Sequence, residues 1–126
     1  MLDFIDYLAG LIDGDGSFSI ATHKSARSPY LMIQVAQLDT PEFRELAEQV
    51  GKPVWSTAKT SAGRKMAKFA WCGKDAEQFA KIVGPRLRLK KRNWLITQEF
   101  FRAREAGDLG WMLELKAQMI ALNKVT

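Results

Sequence analysis

The first residues of the chain repeat apolar positions at the spacing of a helix. The repeat consists of Leu2, Ile5, Leu8, Ala9 and Ile12. It predicts a helix over about residues 3–13, followed by a breaker made of Gly14, Asp15 and Gly16. Because glycine reaches backbone conformations that are closed to other residues, we expect Gly14 and Gly16 to turn the chain sharply into the next element.

Apolar and polar residues then alternate strictly in two stretches. The apolar positions are Phe18 and Ile20 in the first stretch and Leu31, Ile33 and Val35 in the second. A period of two predicts two β-strands, each with one face toward a core. The polar residues 23–29 between the two stretches predict a turn.

After the second strand the pattern predicts a helix that Asp39 or Thr40 caps, with Pro41 in its first turn and Gly51 at its end. Two weaker strands and three further helices follow. Their predicted ranges are 53–58 and 67–72 for the strands, and 75–84, 93–106 and 109–122 for the helices, with Asp75 as the cap of the first helix. This order predicts one α+β domain over residues 1–126, with helices on one face of an antiparallel sheet.

The composition is that of an ordinary globular domain. The 126 residues are enough to bury a core, and the fractions of 47% hydrophobic and 26% charged residues are unremarkable. No apolar run approaches the roughly 20 residues of a membrane span, and the N-terminus has no basic leader. The single Cys72 excludes an internal disulfide and a cysteine-based zinc site. We therefore expect a protein that is not secreted and has no membrane partner, in a bacterial cytoplasm or inside a chloroplast or mitochondrion.

Charge is distributed unevenly along the chain. The net charge is +5, yet residues 1–51 hold 3 Lys or Arg against 8 Asp or Glu, whereas residues 52–104 hold 14 against 3. A basic block of this kind is typical of proteins that bind the phosphates of nucleic acids. A solvated basic surface explains the block about as well, so charge alone leaves the partner open.

Residues 8–16 contain the most specific motif of the chain, LAGLIDGDG. This segment resembles the signature LAGLIDADG of the homing endonuclease family at eight of nine positions, with Gly14 in place of alanine. An amphipathic helix with a glycine stop accounts for the pieces, but not for their ordered match at the start of such a chain. The resemblance implies the αββαββα endonuclease fold, with C-terminal helices and a DNA-binding saddle. It also implies a double-strand break in a long pseudo-palindromic DNA target, leaving short 3′ overhangs.

The resemblance further implies a metal site and a homodimer. Family members with one motif pair their motif helices, so that each chain brings one aspartate to the scissile phosphates. Here that aspartate is Asp15, with Gly14 beside it, and the expected metal is Mg²⁺ or Mn²⁺. Small residues on the helix let a second helix approach closely. The expected dimer interface consists of Leu8, Ala9, Gly10, Leu11 and Ile12.

Two shorter segments resemble the homodimeric group that organellar introns encode. The group has a Gln-Val-x-Gln segment on its second strand, which residues 34–37 match, and a Leu-Lys-Leu-Lys segment before a helix, which residues 87–90 match. The resemblance implies that Gln37 and Lys90 lie around the water that attacks the phosphodiester.

One position near this site departs from the pattern of the group, and one motif aspartate has no role carried over. Those relatives have an arginine four residues after the active-site glutamine, where this chain has Pro41. Arg44 is the nearby residue that could replace it. No role carries over to Asp13, so its replacement is expected to matter less than that of Asp15.

Alternation also sorts the strand residues into an outward face, which the resemblance makes the surface that binds DNA. The expected contacts on this face are Ser17, Ser19, His23, Tyr30, Met32, Gln34, Ser56 and Lys68. Gln34 suits adenine and Lys68 suits guanine. The expected phosphate contacts in the two loops are Lys24, Arg27, Lys59, Arg64 and Lys65. All four tryptophans, Trp55 included, are expected in the core.

Other functions stay open beside cleavage. One is a DNA-binding regulator that has lost cleavage, although the intact Asp15 argues against it. Another is an intron maturase, in which the same basic surface binds folded RNA. A third is a generic basic binding module without catalysis. A metal-dependent cleavage assay separates all of these from an endonuclease.

Overall fold

Helices and strands follow one another in the predicted order. The computed structural model describes residues 2–24, 28–56 and 62–125. The elements are α1 (Leu2–Asp15), β1 (Gly16–Ala21), β2 (Tyr30–Leu38), α2 (Pro41–Val50), β3 (Trp55–Ser56), β4 (Met66–Cys72), α3 (Gly73–Val83), α4 (Lys91–Ala106) and α5 (Leu109–Lys124). A single 3-10 turn, Gly84–Arg86, follows α3. None of the described helices combines the length and the apolar character that crossing a bilayer requires.

The four strands form one antiparallel sheet in the order β1-β2-β4-β3. Helices α1, α3 and α5 pack against this sheet, and α4 packs on α5. The strand residues predicted to face the helices are all buried, and they are Phe18, Ile20, Leu31, Ile33, Val35, Phe69 and Trp71. The predicted α+β architecture is therefore confirmed.

The predicted boundaries of α2 are confirmed, and the predicted start of α3 is corrected. The Thr40 hydroxyl accepts a hydrogen bond from the Phe43 N–H at 3.1 Å, and Gly51 ends α2 with a left-handed φ of 74°. Helix α3 instead begins after Cys72, whose side chain makes no capping bond. Asp75, predicted as its cap, lies in the first turn, where it forms an ion pair with Lys52.

The passage from α1 into β1 differs from the predicted glycine turn. Helix α1 continues through Asp15 and β1 begins at the next residue, Gly16. Neither Gly14 nor Gly16 has a positive φ. Glycine is required at position 16 for a different reason, since a Cβ there would lie 2.8 Å from Cα and 2.9 Å from the carbonyl oxygen of Ile12. The strand therefore leaves the helix in direct contact with its last turn.

This contact predicts a stability effect of the change Gly16→Ala. The added methyl group meets helix backbone, which cannot rotate away, so we expect a loss of about 1–3 kcal/mol in the free energy of unfolding. The matched control is Gly110→Ala in α5, where a Cβ meets only Asp108 Oδ1 at an ordinary 3.6 Å. Chemical denaturation measures both, and equal stability of the two variants would contradict the close approach.

Candidate functional site

Two of the predicted site residues meet at the C-terminal end of α1. Asp15 is the last residue of the helix, and its carboxylate is exposed. The side-chain Nε2 of Gln37, on β2, donates a hydrogen bond to Asp15 Oδ2 at 2.8 Å. The sheet register explains the meeting, because Gly16 pairs with Val35 and so brings the helix end beside the end of β2.

Lys90, which is distant in sequence, contacts the same helix end. It immediately precedes α4, and its Nζ donates a hydrogen bond to the backbone oxygen of Asp13 at 3.0 Å. That oxygen belongs to the last turn of α1, where helix carbonyls lack partners within the helix. The structure therefore brings Asp15, Gln37 and Lys90 to one turn of one helix.

Asp13 makes the most hydrogen bonds at this site, although sequence reasoning gave it no role. Its carboxylate accepts from the backbone N–H groups of Arg88, Leu89 and Lys90 at 2.9–3.2 Å. Partial burial alone would raise the pKa of Asp13, but these three donors and the Lys90 charge hold the pKa below its ordinary value. One feature of the sequence could have indicated this role. Lys90, where α4 begins, has no side chain that caps the helix, so its backbone donors need an acceptor from another segment.

An open depression of about 470 Å³ lies between α1, β1 and α4. Its lining residues are Asp13, Gly14, Gly16, Ser17, Leu89, Lys90, Asn93 and Asn123. Asn93 Nδ2 donates to Asn123 Oδ1 at 2.9 Å, and Asn123 Nδ2 donates to the Phe18 carbonyl at 2.8 Å. These bonds tie α4 and α5 to β1 beside the site. Neither asparagine was predicted as a site residue.

The residues at the helix end fit half of a divalent-metal site. Mg²⁺ prefers oxygen ligands, and the exposed Asp15 carboxylate next to Gly14 offers them. The Asp13 carboxylate is already occupied by three N–H donors. Among the described residues, no group of three His, Cys, Asp or Glu side chains is placed to hold a metal ion. Of the two described carboxylates in the last turn of α1, only that of Asp15 is thus not occupied by backbone donors.

The outward face of the sheet consists of cross-strand rows of side chains. Ser17 pairs with Gln34, which pairs with Ala70, and Ser19 pairs with Met32. Ala21 pairs with Tyr30 at the end of the sheet. These side chains are partly exposed, as the predicted DNA-facing surface requires. Their contacts with bases stay a prediction.

The edge strand β3 has a different register from the predicted one. Ser56 lies opposite Ala67, whose side chain is buried on the helix side, so its assignment to the outward face is corrected. Trp55 takes the outward position, opposite Lys68, and is 43% exposed rather than in the core. A shift of one residue moves every side chain to the other face. Lys68 Nζ lies 5.4 Å from the centroid of the Trp55 ring, which is a cation–π distance.

The predicted loop contacts are only partly described. His23 and Lys24 are exposed beyond the end of β1, and Arg64 and Lys65 are exposed just before β4. Arg27 and Lys59 lie outside the described residues.

The motif helix exposes a different set of residues from the one predicted for the dimer interface. Leu8, Ala9 and Ile12 are buried within the chain, so they belong to its own core. Of the predicted set, Gly10 is exposed and Leu11 is partly exposed. Tyr7 is 55% exposed and lies on the same face as Gly10 and Gly14. A Cβ on either glycine would meet nothing within 4 Å in this chain.

Arg44, on α2, forms an ion pair with Asp39, which lies just before that helix. Its Nε and Nη2 donate to the two carboxylate oxygens of Asp39 at 2.7 and 2.8 Å. This pairing lowers the pKa of Asp39 and raises that of Arg44. Pro41, at the position of the family arginine, is the first residue of α2.

Solved structures share this fold over most of the chain. The homing endonuclease I-CvuI, in complex with the I-CreI target, is 19% identical with a TM-score of 0.68, covering 96% of this chain and 82% of that one. The archaeal intron-encoded homing endonuclease I-Vdi141I, complexed with DNA, is 16% identical with a TM-score of 0.70, covering 96% and 85%. The LAGLIDADG meganuclease I-AabMI, bound to uncleaved DNA, is 17% identical with a TM-score of 0.69, covering 91% of this chain but 44% of that one.

Neither a protein-family model nor a curated protein sequence matches the chain. At these sequence identities the structural similarity establishes the fold. The motif in residues 8–16 forms the helix end at which the candidate site residues meet. The chain therefore has the fold of the LAGLIDADG homing endonucleases.

Proposed function

We propose that this protein is a homodimeric, metal-dependent endonuclease that makes a site-specific double-strand break in DNA. The observation that carries the proposal is the meeting of Asp15, Gln37 and Lys90 at the last turn of the motif helix. A carboxylate, an amide and an ammonium group at one point suit the hydrolysis of a phosphodiester. The neighbours in fold that are named as homing endonucleases in complex with DNA give the proposal its substrate class.

Asp15, with Gly14 beside it, is the residue proposed to hold Mg²⁺ or Mn²⁺. When bound, the metal stabilises the negative charge that develops on the phosphate and the leaving oxygen. Position also favours a cation, because the C-terminal end of a helix carries partial negative charge and no basic residue lies in the last turn of α1.

Gln37 and Lys90 are proposed to act on water and phosphate. The Gln37 amide has both donor and acceptor groups, so it can orient the attacking water while it bonds to Asp15. The Lys90 ammonium brings a positive charge to the end of α1, where it offsets charge on the phosphate oxygens. The attacking water forms a bond to phosphorus and releases a proton to solvent, while the P–O3′ bond breaks and the leaving 3′ oxygen takes up a proton from solvent.

A homodimer completes the site, because within the described residues the last turn of α1 offers a metal only the Asp15 carboxylate. The exposed face of α1 that contains Tyr7, Gly10 and Gly14 is the proposed contact, since two glycines four residues apart let helix backbones approach closely. Two such chains would present two copies of Asp15 and two sheets to one duplex. The proposed target is accordingly long and pseudo-palindromic, with short 3′ overhangs after cleavage.

The outward face of the sheet is the proposed reading surface. A two-stranded ribbon fits the major groove of B-form DNA, where base edges differ in their donors and acceptors. Gln34 lies at the centre of the row that joins β1, β2 and β4, and Lys68 lies beside Trp55 at the edge. Lys65 and Lys24, in loops at the ends of strands, are proposed to contact phosphates.

We expect Asp15→Asn to abolish cleavage while the protein keeps its fold and its DNA affinity. The amide keeps the size of the side chain but removes the charge that holds the metal, so the rate should fall by several orders of magnitude. Nicking and binding are measured with Mg²⁺. The substrate is a duplex in which the two DNA segments that flank the insertion point of the gene are joined directly. Replacement of the exposed Glu114 by Gln in α5 is the control, and cleavage by Asp15→Asn at the wild-type rate would refute the proposal.

We expect Gly10→Leu to abolish dimerisation and cleavage without unfolding the chain. A Cβ at this position meets no atom of its own chain within 4 Å, and a leucine side chain on it would separate two packed helices. Sedimentation velocity gives the oligomeric state and circular dichroism gives the helix content. Gly110→Leu adds the same side chain to an exposed glycine of α5 and should stay dimeric. A wild-type protein that is monomeric at micromolar concentration, with and without DNA, would contradict this prediction.

We expect Lys65→Ala and Gln34→Ala to weaken DNA binding in different ways. Loss of a phosphate contact at Lys65 should lower affinity for all sequences and reduce the slope of log K against log salt by about one. Loss of Gln34 should change the preference at particular base pairs by about 1–3 kcal/mol and leave the salt slope unchanged. Binding to a set of single-base-pair variants at several salt concentrations distinguishes the two. A uniform loss for Gln34→Ala would show that this residue does not read bases.

A further inference from the structure

The carboxylate of Asp13 holds the chain segment that carries Lys90. We propose that Asp13 is a positioning residue for cleavage, which fixes the Lys90 ammonium at the end of α1 where Asp15 lies. This inference rests on the proposed function, because it concerns how the same site is assembled. It gives Asp13 a role that the resemblance did not supply, and it agrees with the expectation that replacement of Asp13 matters less than that of Asp15.

Asp13 contacts both the backbone and the side chain of Lys90. Its Oδ1 accepts from the backbone N–H of Lys90 at 2.9 Å, and its own backbone oxygen accepts from Lys90 Nζ at 3.0 Å. The same carboxylate accepts from the N–H groups of Leu89 at 2.9 Å and Arg88 at 3.1 Å. Three consecutive backbone donors and one side-chain donor therefore converge on one residue.

Another backbone attachment of Lys90 is the hydrogen bond that its carbonyl accepts from the Trp94 N–H at 3.0 Å, which ties it to α4 and not to α1. Leu87 is buried at one end, but the side chain of Leu89 is 79% exposed and so does not anchor the turn by packing. Lys90 precedes α4 without a side-chain cap, and the first turn of α4 contains no acidic residue. A lysine side chain is a flexible stem of four carbons, so the position of its ammonium depends on its backbone and on its hydrogen bonds.

The Asp6–Arg86 pair provides a comparison within the same two segments. Asp6, also on α1, accepts a hydrogen bond from Arg86 Nε at 3.2 Å, just before the Lys90 turn. Both carboxylates join α1 to residues 86–90, yet only Asp13 contacts Lys90. Loss of Asp6 should therefore loosen the connection between the segments without moving the ammonium.

The first test compares Asp13→Asn with Asp6→Asn. Asparagine keeps the size of the side chain but turns an NH₂ donor toward backbone donors, so the bonds to the turn are partly lost. We expect the single-turnover cleavage rate of Asp13→Asn to fall about 10- to 100-fold, the effect typical of residues that orient a catalytic group. DNA affinity should change little, the unfolding midpoint should fall because three backbone donors lose part of their charged acceptor, and Asp6→Asn should cleave within about two-fold of wild type at a temperature where all variants are folded. Equal rates for the two variants would overturn the inference.

The second test asks whether Asp13 acts through Lys90. Lys90→Met removes the ammonium and keeps the length of the side chain. If Asp13 only positions that ammonium, the double variant Asp13→Asn/Lys90→Met should cleave at the rate of Lys90→Met alone. A double variant that loses the full factor of both single variants would show that Asp13 acts independently of Lys90.

A third measurement needs no cleavage and separates failure of this inference from failure of the proposed function. Hydrogen exchange at the amides of Arg88, Leu89 and Lys90 should be slow in the wild type, and faster by about ten-fold or more in Asp13→Asn but not in Asp6→Asn. Exchange that is unaffected by Asp13→Asn overturns the inference, whether or not the protein cleaves DNA. A wild type that shows the expected exchange but does not cleave DNA refutes the proposed function and, with it, the role in cleavage, leaving a structural clamp.

Discussion

The close approach of β1 to the last turn of α1 is the constraint on which the site depends. No loop residue separates the two elements, and a Cβ on Gly16 would lie 2.8 Å from Ile12 Cα. The helix end is therefore fixed against the sheet at the residue next to Asp15. Gln37 and Lys90 arrive from β2 and from the start of α4, and both bond to this fixed end. The contact between helix and strand thus fixes the helix end to which both residues bond.

Much of the fold follows from local patterns in the sequence. The alternation that includes Ile33 and Phe69 identifies the buried face of the sheet, because a period of two leaves little choice of side once one face is apolar. Thr40 and Gly51 mark the ends of α2 by their own backbone and side-chain chemistry. The motif residues also predict that Asp15 lies at the end of a helix, because recognition of that helix is enough to place this residue.

The remaining features depend on partners that are distant in sequence. Strand β3 has two residues, too few for a period, so only its pairing with β4 puts Trp55 outward and Ser56 inward. Asp13 finds its donors 75–77 residues away. Leu8, Ala9 and Ile12 look like an interface in the motif alone, yet they are buried within their own chain. In each case tertiary contact decides between two local readings that are equally acceptable.

The two aspartates of the motif differ in how their charges are compensated. Both lie in the last turn of α1, which has no basic residue of its own and where the helix dipole disfavours negative charge. Asp13 is compensated by three backbone N–H groups and the nearby Lys90 charge. Asp15 is exposed, and its bond in the described structure comes from the neutral Gln37 amide. Among the described residues the Asp15 carboxylate has no ion pair, which is the arrangement that the proposed metal site requires. The same turn thus uses one acid to build the site and leaves the other available for a ligand.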